Sequence, residues 1–161
     1  MIIKGLQDEV FGDYKKPAMQ IAFPDCSFKC DKENGCSLCQ NSKLAHVSPI
    51  NYPIHAIIHR YLVNPITKAI VCGGLEPFDS EDNLLEFITI FREKSEDDVV
   101  IYTGYTEEEL QENNTYKAIC EFSNIIIKFG RFRPGQEPHF DKILGIKLAS
   151  DNQYAKKVSK I

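Results

Sequence analysis

The 161-residue sequence predicts an α/β fold organised on a parallel sheet. Three observations point there. Short, largely apolar runs recur along the chain, MQIAF at 19–23, AIVC at 69–72, VVIY at 99–102 and NIIIKF at 124–129, as strands covered on both faces require. Between them lie stretches whose apolar residues repeat at helical spacing. Clustered cysteines, Gly-Gly and Thr-Gly follow the first three runs, at the carboxyl strand ends where ligands of such sheets collect.

In chain order, residues 1–17 mix charge with Gly12 and Pro17 and read as a loop with a short strand at Ile2–Ile3. Met19–Phe23 is a buried strand before Pro24. A cysteine-rich loop follows, ending near Ser42. Pro53 suits the first turn of a helix, and Ile54, Ile57, Ile58, Tyr61 and Leu62 give it an apolar face until Asn64-Pro65 stops it. Ala69–Cys72 is the second strand, ending at Gly73-Gly74. Ser80 is placed to cap the next helix, with Glu81 and Asp82 against its positive end and Leu84, Phe87, Ile88 and Phe91 as its buried stripe. Val99–Tyr102 is the third strand. Thr106 and Glu109 form a capping box, Tyr116, Ile119 and Cys120 a further helical face, and Asn124–Phe129 the fourth strand. Beyond Gly130 the composition is rich in Gly, Pro and charge and carries no strong pattern.

Length and composition fit one domain, residues 1–161, able to bury roughly two-thirds of the surface of its unfolded chain. A net charge of −4, with no Lys/Arg block, disfavours nucleic-acid binding. No apolar run approaches bilayer length, and the opening MIIKGLQDEV has no secretory pattern, so a cytoplasmic protein without a membrane span is expected.

The chemistry is concentrated in Cys26-Ser-Phe-Lys-Cys30-Asp-Lys-Glu-Asn-Gly-Cys36-Ser-Leu38-Cys39-Gln-Asn41, which holds four of the six cysteines. In a reducing cytosol such thiols are metal ligands rather than disulfides. Structural zinc sites draw Cys pairs from two separated loops, whereas one continuous loop favours an iron–sulfur cluster; spacing alone leaves both metals open. Gly73-Gly74-Leu75-Glu76-Pro77 and Tyr102-Thr103-Gly104-Tyr105 share the same sheet edge, where glycine admits a close ligand and Glu76 can take an amino group. Isolated glycines of this kind are usually plain turns; three such features on one edge outweigh that reading. His55 and His59, at i,i+4, lack the Glu of a metalloprotease motif and read as surface residues, and His46 and His139 have no identifiable partners. Cys72 and Cys120 read as packed small side chains, and Glu107–Glu109 as a solvated helix start. No paired catalytic carboxylates or Ser/His/Asp constellation is evident.

These segments resemble the radical S-adenosylmethionine superfamily, and within it the activating proteins of anaerobic ribonucleotide reductase. Cys26-x3-Cys30 and Leu38-Cys39-Gln40-Asn41 are similar to the two parts of the family's C-x3-C-x2-C motif. Gly73-Gly74-Leu75-Glu76-Pro77 resembles its Gly-Gly-Glu-Pro segment, and Tyr102-Thr103-Gly104-Tyr105-Thr106 is the most specific marker of the subfamily. Gly130-Arg-Phe132 and Ser150-Asp-Asn152-Gln153 resemble its elements near the C-terminus. The likeness runs from about Met19 to Gln153. Two departures stand out: six extra residues, including Cys36, between Cys30 and the final Cys, and Leu75 between Gly-Gly and Glu-Pro.

The resemblance implies a partial, open βα barrel with a 4Fe–4S cluster on Cys26, Cys30 and Cys39, Cys36 being spare; the exchange of Cys36 for Cys39 remains the alternative. It implies S-adenosylmethionine bound at the open iron, with Leu38, Asn41, Gly73, Gly74, Glu76, Tyr102, Thr103 and Gly104 as cofactor-binding residues. No catalytic side chain is implied beyond the cluster and S-adenosylmethionine, because hydrogen-atom abstraction needs no general base. The implied partners are the large glycyl-radical subunit of anaerobic ribonucleotide reductase and an electron donor such as flavodoxin or ferredoxin. Another radical enzyme, or a non-catalytic iron–sulfur or zinc module, stands as the alternative.

Overall fold

The computed structural model describes residues 1–159. The chain runs β1 (Ile2–Ile3), β2 (Gly5–Val10), β3 (Ala18–Phe23), α1 (Lys29–Asn34), β4 (Ile50–Asn51), α2 (Ile54–Leu62), β5 (Ala69–Gly74), α3 (Glu81–Arg92), β6 (Asp98–Tyr102), α4 (Glu107–Leu110), α5 (Asn114–Ile119), β7 (Ile125–Phe129), β8 (His139–Asp141), β9 (Ile146–Leu148) and β10 (Tyr154–Lys157). A short 3-10 turn at Ser42–His46 follows the cysteine loop, and another at Pro77–Asp79 follows β5.

Six strands form the central sheet in the order β10–β7–β6–β5–β3–β2. The four inner strands are parallel, with Met19 beside Ile70, Ile70 beside Val99 and Val99 beside Ile125. They are the four apolar runs of the sequence, and connections through α2, α3 and α4–α5 return each to the same direction, as βα units must. The outer strands β2 and β10 are antiparallel, so the sheet is mixed and ends in two edges.

Strand alternation sends two sets of side chains to opposite faces. Met19, Ile21, Phe23, Ile70, Cys72, Val99, Ile101, Ile125, Ile127 and Phe129 meet the stripes of α2, α3 and α5 in the main core. Within it Tyr61 and Phe91 pack edge to face, and Phe87 and Phe91 stack. The residues of the second cluster, on the opposite face, come from strands and loops among the described residues. Tyr14, Leu144 and Leu148 cover the middle of that face, against Val71, Val100 and Ile126. Towards the carboxyl ends of the strands this face opens into a cavity of about 410 Å³.

Several local readings need correction. Ser80 does not cap α3 with its side chain; its hydroxyl donates to Asp25 at 2.9 Å instead. Residues 5–10 are a strand rather than a loop, half exposed at the sheet edge and so without an apolar run. Three short strands follow Gly130, and Asp141 fixes them by accepting the amides of Ile143, Leu144 and Ala155, each at 2.9 Å. The capping box of Thr106 and Glu109 is formed as read, and His55 and His59 are exposed. Among the described residues no helix is long and apolar enough to cross a membrane.

Phe87 is fully buried under the sheet. Its replacement by Ala is expected to cost about 3–5 kcal/mol in urea denaturation. His55→Ala, on the exposed side of α2, should stay within about 0.5 kcal/mol of the parent.

Candidate metal and cofactor site

The cysteine loop is shaped by two reversals of the backbone. Phe28, half-buried, takes a left-handed conformation (φ 52°) that a non-glycine residue rarely adopts, and its amide donates to the Cys26 sulfur at 3.2 Å. This turn starts α1 and places Cys30 one residue into it. Gly35 (φ 69°) then ends α1 and points the chain outward. Cys36, at that outer bend, is exposed, and its thiol donates only to the carbonyl of Asn34 at 3.6 Å. Asp31 draws the chain back: one carboxylate oxygen accepts the amides of Leu38 and Cys39 at 2.8 and 2.9 Å. Cys39 and Asn41 thereby rejoin Cys26 and Cys30 along the cavity, whereas Leu38 and Cys36 do not line it.

Burial pushes the Cys26 thiol up to about 11 and raises that of Cys30, and proximity to Cys39 adds to both. A metal centre that takes these sulfurs must therefore displace their protons. Among the described residues no three His, Cys, Asp or Glu side chains converge tightly enough to hold a single ion. Cys26, Cys30 and Cys39 share one cavity and are the residues that could hold a metal centre there.

The second and third segments meet at Glu76. Gly74 (φ 83°) closes β5 against the neighbouring strand, where an added Cβ would lie 2.8 Å from the backbone of Ala22. The following residue, Leu75, is absorbed by the turn: it is buried, and the next amide, that of Glu76, donates to Asp25 at 2.7 Å. The Glu76 side chain enters the cavity, only 7% exposed. Its Oε1 accepts from the Phe78 amide at 3.0 Å and the Thr103 hydroxyl at 2.9 Å; its Oε2 accepts from the Gly104 amide at 2.8 Å. Burial nevertheless raises its carboxyl to about 7. Gly104 adjoins Cys30: a Cβ there would stand 3.7 Å from the cysteine sulfur and 3.7 Å from Glu76 Oε2. The Glu76 site and the cysteine loop are thus direct neighbours.

The second face of the sheet supplies the cavity wall. Gln20 donates to Asp13 at 3.1 Å, Tyr102 donates to the Asp13 carbonyl, and Gly73 leaves space beside them. Lys128 is 8% exposed, and its ammonium donates to the Gly130 carbonyl at 2.8 Å. Burial lowers it to about 8, offset by the charges of Glu76 and Cys30. The Ser150–Gln153 turn locks onto the same corner, Asn152 donating to the Arg131 carbonyl at 2.8 Å and Gln153 to that of Gly130 at 3.3 Å. Arg131, 6% exposed, donates to Glu109 at 2.8 Å and pairs with Glu33 of the cysteine loop at 3.3 Å, the latter an ion pair rather than an aligned hydrogen bond.

The model of the 4Fe–4S single cluster domain matches residues 18–153, most of the chain. The chain belongs to that family. The matched span opens with β3 and closes on Gln153, so this 4Fe–4S single cluster domain includes the cysteine loop, the Glu76 segment and the Thr103-Gly104 segment. Membership supports iron–sulfur binding, and the cavity thiols are the residues that could provide it. No curated protein and no solved structure matches the chain.

Of the residues singled out in the sequence, Cys26, Cys30, Cys39, Asn41, Gly73, Gly74, Glu76, Tyr102, Thr103 and Gly104 all line the one cavity. Asp13, Gln20, Lys128 and Arg131 also line it and Asp31 shapes the cysteine loop, and the sequence reading names none of them as a site residue. Lys128 alone carried a usable signal, a lysine inside an otherwise apolar strand.

For anaerobically reconstituted protein, Cys26→Ala, Cys30→Ala and Cys39→Ala are expected to lose iron and sulfide, whereas Cys36→Ala keeps the parent content. Asp31→Ala should remove about 1–3 kcal/mol of loop order and lower iron content without abolishing it. Metal analysis of the five variants checks both expectations.

Proposed function

We propose that this protein is a radical S-adenosylmethionine activase that forms a glycyl radical on the large subunit of anaerobic ribonucleotide reductase. The observation that supports this reading is the meeting of three separate segments at one point: the Glu76 carboxylate, held by Thr103 and Gly104, beside Cys30. In this reading Cys26, Cys30 and Cys39 would hold the cluster, and three thiolates would leave it able to take the cosubstrate. The chemistry supplied by a bound, reduced 4Fe–4S cluster is one-electron cleavage of the sulfonium C–S bond, which yields methionine and a 5′-deoxyadenosyl radical.

The chain's own residues bind, orient and exclude water. A carboxylate has about four acceptor positions, and three of Glu76's are filled from within the protein. The remaining one, on Oε2, accepts the ammonium of the methionine moiety. Lys128 supplies the opposite charge for the carboxylate of that zwitterion, and its burial strengthens the pairing. Gly73 and Gly104 keep side chains out of the ligand's path. Asp13, Gln20 and Tyr102 offer hydrogen-bonding groups to the nucleoside portion. The mouth of the cavity admits the partner's glycine loop, and the electron comes from a donor such as flavodoxin or ferredoxin. The Tyr102-Thr103-Gly104-Tyr105 segment favours the ribonucleotide reductase among glycyl-radical partners.

The experiment is anaerobic incubation of the reconstituted, reduced protein with S-adenosylmethionine and that large subunit. A glycyl-radical doublet in the electron paramagnetic resonance spectrum, with stoichiometric 5′-deoxyadenosine, is the expected result. Cleavage without a doublet would assign the chemistry to another substrate.

Binding should also depend on pH in a defined sense. Glu76 must be ionised to accept an ammonium, so affinity falls as pH drops below about 7. Lys128 must be protonated to attract a carboxylate, so affinity falls again as pH rises above about 8. Calorimetric titration with S-adenosylmethionine is expected to show a maximum between these limits, with a low-pH limb of at most about tenfold per pH unit. Lys128→Met should weaken binding at the optimum, while the ligand's own ammonium keeps a high-pH limb.

A further inference from the structure

Tyr105 closes the Tyr-Thr-Gly-Tyr segment yet does not line the cavity, so cosubstrate contact does not explain it. Its atoms reach in four directions. Its amide donates to the Thr103 hydroxyl at 3.0 Å, the same hydroxyl that holds Glu76 at 2.9 Å. Its carbonyl accepts the Gly130 amide at 3.0 Å. Its phenol donates to Asp79 Oδ1 at 2.6 Å, while Asp79 Oδ2 accepts the amide of Ser27, next to Cys26, at 2.6 Å. Its ring lies under the ammonium of Lys29, next to Cys30, 4.1 Å from the centroid. One residue therefore touches the amino-group site through its backbone and both ends of the Cys26–Cys30 turn through its side chain.

From this geometry we infer that Tyr105 is a positioning residue: acting through Asp79, it clasps the Cys26–Cys30 turn against the Glu76 site, so that the cluster loop and the amino-group site are held as one unit. Phe28's left-handed backbone gives the clasp its purpose, because a strained turn persists only where its surroundings over-determine it. Asp79 is well suited to the work, since each of its oxygens receives one short bond from a different segment. The inference rests on the cluster reading proposed above only for what the turn finally holds; the clasp itself is testable without metal.

The test compares Tyr105→Phe, Asp79→Ala, the double variant and a control, Tyr116→Phe, which removes a core phenol that donates to Glu107 at 3.3 Å. In the metal-free full chain, Tyr105→Phe is expected to speed amide exchange across residues 26–30 about five- to tenfold, with exchange in β5 and α3 unchanged. The double variant should be no worse than Asp79→Ala, because both changes break one linkage. In reconstituted protein, Tyr105→Phe should lose its visible iron–sulfur absorbance to a chelator several-fold faster than the parent, while Tyr116→Phe matches the parent. Parental exchange in residues 26–30 of Tyr105→Phe, or additive effects in the double variant, would overturn the clasp. Should Asp79→Ala fail to fold, the exchange in Tyr105→Phe decides alone. A parent that takes up no iron would instead count against the cluster reading and leave the exchange result standing.

Discussion

The buried carboxylate of Glu76 is the point on which the cavity depends. Three donors from two strand ends converge on it, and each would be an orphan inside the protein if it were removed. The carboxylate thus ties the turn after β5 to the turn after β6 on the floor of the cavity. Its burial raises its proton affinity while the three donors lower it, and the balance falls near neutrality. Such a group holds its neighbours firmly and still has one acceptor position for a cationic ligand.

Around that carboxylate the charges are arranged with little redundancy. Lys128 and Arg131 are nearly buried cations, one inside the cavity wall and one at its rim. Arg131 joins Glu33 of the cysteine loop to Glu109 of the α4 capping box, so the loop that carries the thiols is fastened to the helix that follows β6. The acidic run 107–109, which looks like a solvated helix start, is in part this anchor; Arg131 holds the Glu109 carboxyl below its ordinary range. Burial of charged groups is costly unless they are paired or hydrogen-bonded, and each of these side chains has such partners.

Much of this arrangement was legible in the sequence because it rests on local rules. Two-sided apolar strands, the helical stripe of Leu84, Phe87, Ile88 and Phe91, the Thr106–Glu109 capping box and the glycines at strand ends each announce themselves over a few residues. That Cys39 and not Cys36 lines the cavity follows from an Asp31 side chain that bonds the backbone seven and eight residues on, a contact no spacing rule contains. The edge strands β2 and β10 escaped because a half-exposed edge carries no apolar run. Ser80 misled because a competing carboxylate, Asp25, lay close in space and distant in sequence. Asp79 bears on the cysteine loop through tertiary contacts of the same kind, which appear only once the strands are placed side by side.

The most direct measurement is electron paramagnetic resonance of the anaerobically reconstituted, reduced protein with and without S-adenosylmethionine, on the parent and on Glu76→Ala. An iron–sulfur signal that changes on addition in the parent, and responds far more weakly in Glu76→Ala, is the predicted result. It would place an open iron and the Glu76 carboxylate at one binding site. A signal indifferent to S-adenosylmethionine in the parent would contradict the proposal and leave a closed electron-transfer centre in its place.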